Sequence, residues 1–156
     1  MDKKGIAPLI ATFLLLFFAV VIGLVVINWG RAQLEEQASC SVDPGLKFIQ
    51  IEGKPQVCYG DGFTFFLVEN GPAVDVESLQ VRLIDENRRI FAQSMPASSI
   101  LRNGALEKRI TYDANQYGGV KQIKISPTIK LYDQLVDCPD RSIIFDNPKR
   151  CEEVLS

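Results

Sequence analysis

Four cysteines, Cys40, Cys58, Cys138 and Cys151, carry the strongest intrinsic chemistry in this chain. Paired thiols oxidise to disulfides and thiolates hold metals, and spacing separates the two uses. Zinc ribbons draw their ligands from close C-x2-C pairs. Here the intervals are C-x17-C and C-x12-C, and histidine is absent from all 156 residues. Structural disulfides are therefore expected, with no metal and no cofactor. The lack of histidine also removes the commonest general base. Asp61, between Gly60 and Gly62, and the neighbours Asp137 and Asp140 offer oxygen ligands of the kind calcium takes. Nothing like an EF-hand loop surrounds them, so turn and loop solvation is the expected role. Arg88 and Arg89 stand beside Asp85 and Glu86 and read as a mixed hairpin tip, not a basic patch. No glycine-rich phosphate loop, nucleophile elbow or triad can be assembled, so catalysis is not expected. Lysine plus arginine total 17 against 19 acidic residues, a net charge of −2 that gives no reason to expect nucleic-acid binding.

These residues need a frame, and the chain supplies two kinds. The first is Ile6 to Ile27, IAPLIATFLLLFFAVVIGLVVI, which contains no charge. As a helix it spans about 33 Å, enough for a bilayer core of roughly 30 Å. Its apolar residues fall on every face, so lipid or similar helices must surround it. Pro8 lies in the first turn, where a missing N–H breaks no intrahelical bond. Ala19 and Gly23 form a small-x-x-x-small spacing that permits close approach of another helix. Lys3 and Lys4 abut the segment on one side and the next basic residue is Arg31, so the positive-inside rule puts the N-terminus in the cytoplasm and everything after Trp29 outside. Good helix formers continue the helix to about Ala38.

Lys3-Lys4-Gly5, followed by Ile6-Ala7-Pro8-Leu9-Ile10-Ala11-Thr12 and the long apolar helix, resembles the class III signal peptide and N-terminal helix of archaeal type IV pilins. The likeness covers roughly residues 3 to 36. It implies a leader of residues 1–5, cleavage between Gly5 and Ile6 by a prepilin peptidase on the cytoplasmic side, and retention of the helix. Bacterial type IV pilins carry glutamate at the fifth mature position, where this chain has Ile10, a departure that points to the archaeal branch. Archaeal flagellins share the leader logic, but their mature helices open differently. Loss of residues 1–5 removes Lys3, Lys4 and Asp2 and leaves a side-chain charge of −3. The implied product is a helical homo-oligomer on the cell surface, built from a membrane-held precursor by the pilus assembly machinery. A monomeric, membrane-anchored extracellular binding or assembly-accessory domain uses the same helix and stays open as the alternative.

From Ser39 the grammar changes. Asp43-Pro44-Gly45 is a turn signal, and from Leu46 onward the apolar period is two. Strands are expected over Leu46–Glu52, Phe63–Glu69, Leu79–Ile84, Arg89–Gln93, Leu106–Tyr112, Val120–Ser126, Thr128–Leu131 and Ser142–Phe145, with Pro127 as a break or edge position. The fold class is α+β: a leader (1–5), a long hydrophobic helix (6–38), and an extracellular antiparallel β-sandwich of about seven or eight short strands (39–156).

All four cysteines fall outside the membrane on this topology, where disulfides persist. Three pairings are possible. The local one, Cys40 with Cys58 and Cys138 with Cys151, is expected, because each bridge would hold down a turn-rich segment. The other pairings join the two ends of the domain, which a sandwich with neighbouring first and last strands permits.

Overall fold

The structure is a computed structural model that describes residues 6–36 and 40–154. Lys3, Lys4 and Gly5 lie outside the described residues, as does the expected end of the helix at Ala38. Met1–Ala38 and Ser39–Ser156 form two compact units.

The first unit is the helix α1, Ile6–Glu36. Leucine, alanine and phenylalanine hold it through Gly23 and Gly30, and Pro8 sits in its first turn, as position N3 tolerates.

The second unit contains strands β1 (Lys47–Phe48), β2 (Gln50–Ile51), β3 (Lys54–Pro55), β4 (Val57–Gly60), β5 (Phe63–Glu69), β6 (Val76–Asp85), β7 (Ile90–Met95) and β8 (Ala105–Thr111). The short helix α2 (Ala114–Tyr117) follows, then β9 (Val120–Leu131), β10 (Gln134–Asp137), a 3-10 turn at Pro139–Arg141, β11 (Ile143–Asp146), β12 (Lys149–Arg150) and α3 (Cys151–Val154). One sheet runs β12-β4-β5-β8, with β1 also on β5; the other runs β7-β6-β9, with β10 and β11 sharing the far side of β9. All pairs are antiparallel except β12 with β4. Several antiparallel strands in two curled sheets after a long apolar helix are the α+β architecture that the two periods of the sequence led us to expect.

Beyond the seven or eight strands expected, the domain adds β4, β10 and β12, and three further departures refine it. Leu46–Glu52 is not one strand. The chain leaves β5 after Ile49 and returns at Gln56, closed by Ile49 N to Leu67 O (3.0 Å), Leu67 N to Gln56 O (2.9 Å) and Gln56 N to Ile49 O (2.9 Å). Between them β2 and β3 form a small hairpin whose turn residues, Glu52 and Gly53, have φ of 51° and 76°, the left-handed turn a two-residue hairpin requires. The second departure is Pro127, expected at a break or edge, which lies in the middle of the unbroken central strand β9. Its carbonyl accepts from Cys138 N at 2.9 Å, on the side where the 3-10 turn separates β10 from β11. A strand residue aims its N and O to the same side, so the proline nitrogen faces an interruption in the partner ladder and no bond is lost. Third, Val120–Ser126 and Thr128–Leu131 are consequently a single strand.

The inner faces share one core. Val57, Phe66 and Val68 from the first sheet join Leu79, Val81, Leu83, Ile123, Ile125 and Ile129 from the second. Each such side chain removed from water contributes about 1.5–3 kcal/mol. The other face of β5 is covered too: Phe65 is buried with Cys58 and Cys151, and Phe63, Leu67 and Val154 pack on them. Burial on both faces is why FTFFLVE is nearly continuously apolar instead of alternating.

Candidate functional site: an apolar helix and two crossed disulfides

Ile10–Gly30 of α1 is long and apolar enough to cross a membrane, and none of it is buried within the protein's own structure. Phe13, Leu14, Leu15, Leu16, Phe17 and Phe18 are all exposed, and together they face every direction around the axis. Ala19 and Gly23 lie four residues apart on one face, and a Cβ built on Gly23 would meet nothing within 4 Å. The site is a cylinder of unpaired apolar surface with one shallow, small-residue stripe. Ile6 opens the described helix; its three leader neighbours are not described. A helix of this kind near the N-terminus suits a membrane anchor or a signal sequence.

The second unit is braced by Cys40–Cys138 and Cys58–Cys151, with Cα separations of 5.5 and 4.8 Å. Two disulfides form as expected, but the local pairing is incorrect. Cys40 and Cys138 are buried in the shared core, whereas Cys58 and Cys151 are buried in the small cluster on the other side of the first sheet. Alternation along β4 turns Cys58 away from the shared core, and the parallel β12, with Lys149 opposite Cys58, delivers Cys151 to it. The sheet therefore separates Cys40 from Cys58. The bridges close intervals of 98 and 93 residues that interleave along the chain. In the loop-entropy model intervals of this size are worth about 4.7 kcal/mol each, against roughly 3 for the short loops of the local pairing.

The acidic residues are engaged locally. Asp61 lies 3.6 Å from Arg150, and Asp140 lies 3.7 Å from Arg141. Asp137 accepts from Thr128 Oγ1 at 2.6 Å and Gln80 Nε2 at 2.7 Å. Among the described residues no three His, Cys, Asp or Glu side chains gather as a metal would require. Arg88 and Arg89 do form a hairpin tip. Asp85, only 3% exposed, accepts from Arg89 N and Arg89 Nε, both at 2.7 Å. Burial pushes the Asp85 carboxyl upward, but the hydrogen bonds and charge of Arg89, with a backbone bond from Asn87, outweigh it and hold the group below the ordinary carboxylate range. Burial, reinforced by Asp85, pushes the Tyr112 hydroxyl up.

Asn70-Gly71-Pro72, the turn that follows β5, carries structural weight beyond turning the chain. Asn70 is buried, and its amide nitrogen lies 2.8 Å from Val74 O, 3.2 Å from Ile100 O and 3.3 Å from Leu101 O, joining two loops. Gly71 N donates to Pro44 O at 2.8 Å, so closely that a Cβ on Gly71 would overlap that oxygen. An Asn-Gly pair is an ordinary turn signal, so nothing in the residue types announced this role. No protein-family model, curated protein or solved structure matches this chain.

Proposed function

We propose that this chain is a structural, non-catalytic subunit of an archaeal type IV pilus-like surface filament. A prepilin peptidase cuts after Gly5, and α1 then polymerises as the filament core while residues 39–156 face outward. One combination of features supports this reading: the short basic leader ending in Lys3-Lys4-Gly5 stands directly before a helix whose apolar surface is exposed on all sides. Such a surface suits lipid in the precursor and neighbouring helices in the assembled state, and it leaves no polar seam that would restrict it to one partner. The disulfides agree with an oxidising exterior.

The test is the mass of the N-terminal peptide of protein taken from its native membrane, together with inspection of the cell surface. A mature start at Ile6 and filaments containing the chain are expected. A start at Met1 overturns the proposal, and a start at Ile6 in protein that remains membrane-bound and monomeric selects the accessory-domain alternative. Gly5→Val should accumulate precursor, because a side chain there obstructs backbone entry into a narrow protease site.

A further inference from the structure

The outward face of the second sheet carries a charge arrangement that the fold does not need. Register sets Ala92, Arg82, Lys124 and Ile144 side by side in one row across β7, β6, β9 and β11. Their chain neighbours Val81, Leu83, Ile123 and Ile125 are buried in the core, so this row points away from it. Arg82 and Lys124 are thus directly opposed, a placement in which like charges lower stability. Neither makes an ion pair or a side-chain hydrogen bond among the described residues.

The polar groups around them are satisfied. Gln80 and Thr128 occupy the two oxygens of Asp137, Gln122 Nε2 donates to Asp146 Oδ1 at 2.6 Å, and Ser126 Oγ lies 2.9 Å from Ser142 Oγ. The carboxylates of Asp137 and Asp146 are held by amides or hydroxyls, and Arg82 and Lys124 are left open among the described residues. Beside them Ala92 adds no bulk, and the next row places the exposed Ser94 next to Gln80.

We propose that this row binds the carboxylate of an acidic polysaccharide, one uronate residue engaging Arg82 and Lys124 together. A guanidinium fork and an ammonium side by side can take both oxygens of a carboxylate. Ser94 offers a hydroxyl to the sugar on one side, and Ile84 and Ile90 offer apolar surface to ring C–H groups on the other. Other anionic partners fit less well. A protein partner needs a central pocketed anchor, which this flat face lacks. An anionic membrane is recognised by clusters of about four to eight cations. Nucleic acid demands many phosphate contacts, and the chain as a whole is negative. The inference rests on the filament reading only for the placement of the domain outside the cell.

The test uses the full-length protein in detergent micelles, passed over immobilised alginate, dextran and polyphosphate. Alginate should retain it and dextran should not. Arg82→Gln and Lys124→Gln should each weaken retention about tenfold, as loss of a charge-assisted contact does, while Lys54→Gln and Lys121→Gln change it less than about twofold. Both of the first variants should melt no lower than the parent, because a like-charge contact is removed. Equal losses in all four variants, polyphosphate retained as tightly as alginate, or no retention on alginate overturns the proposal. Because polymerisation is not required, filaments that form normally from a chain without alginate binding count against this inference alone.

Discussion

The helix α1 and the strand β5 are both dense apolar runs, yet they use that surface in opposite ways. From Ile10 to Gly30 no residue of α1 is buried by the chain itself, whereas β5 is covered on both faces, by the shared core on one and by Cys58, Cys151 and Val154 on the other. Burial of β5 is settled within one molecule and locked by covalent bridges. The chain itself buries none of that stretch of α1, which is long and apolar enough to cross a membrane. Apolar content alone does not tell the two apart. Length does, because a sheet strand ends after a few residues and a helix that crosses a bilayer needs about twenty.

This contrast predicts that damage to one unit leaves the other intact. The largest effect should follow loss of a bridge: Cys40→Ser with Cys138→Ser should cost residues 39–156 about 4 kcal/mol, and Cys58→Ser with Cys151→Ser nearly as much, since the closed intervals differ little. Chemical denaturation followed by tyrosine fluorescence measures this, and α1 helicity in micelles should not change. A strongly unequal pair of losses would show that packing around the sulfurs outweighs chain entropy.

Next comes the core. Leu79→Ala, at a side chain with no exposed surface, should cost roughly 3 kcal/mol, while Leu16→Ala, on the exposed helix, should leave the melting of residues 39–156 unchanged. A drop in that melting temperature with Leu16→Ala would break the comparison. A smaller change of opposite sign is expected at the β9–β10 turn. Tyr132 and Asp133 have φ of 48° and 63°, and replacing them with Asn-Gly should stabilise the domain by about 1 kcal/mol. A loss of stability there would mean that the Asp133–Lys130 ion pair, at 3.2 Å, is worth more than the backbone strain.

The smallest effect is a slope with pH. The Asp85 pKa is lowered on folding, so its contribution is present above the unfolded carboxyl value near 4 and is lost as pH falls through the folded value. Asp85→Asn should flatten the acid limb of the stability curve below about pH 4 without changing its shape near pH 7. An unchanged acid limb would place the acid sensitivity in other carboxylates.

Many strands were legible because period two, β-branched residues and turn signals agree over Phe63–Glu69, over Leu79–Ile84 inside β6, and over Leu106–Tyr112, which covers most of β8. Legibility failed where a local signal was weighed without its neighbours. Pro127 looked like a strand breaker because the turn opposite it, Cys138 to Ser142, lies well along the chain and its register is not readable. Leu46–Glu52 looked like one strand because alternation does not report that residues 50–55 loop out. The Arg82 and Lys124 row was invisible for the same reason: each is an unremarked polar position in its own strand, and only β6 against β9 makes them neighbours.

By itself the sequence determined the uncharged apolar helix, the change of period after Ser39, and the presence of thiols too widely spaced for a zinc ribbon. Each of these is set by composition and spacing along the chain, where the physics is local. Tertiary structure alone decided which cysteines meet, which face of β5 each one serves, and which charges stand opposed. Those outcomes depend on strand register and on which side of a sheet a residue occupies. A shift of one residue would turn Cys58 from the outer cluster to the shared core, and no local property of the chain records which register the sheets adopt.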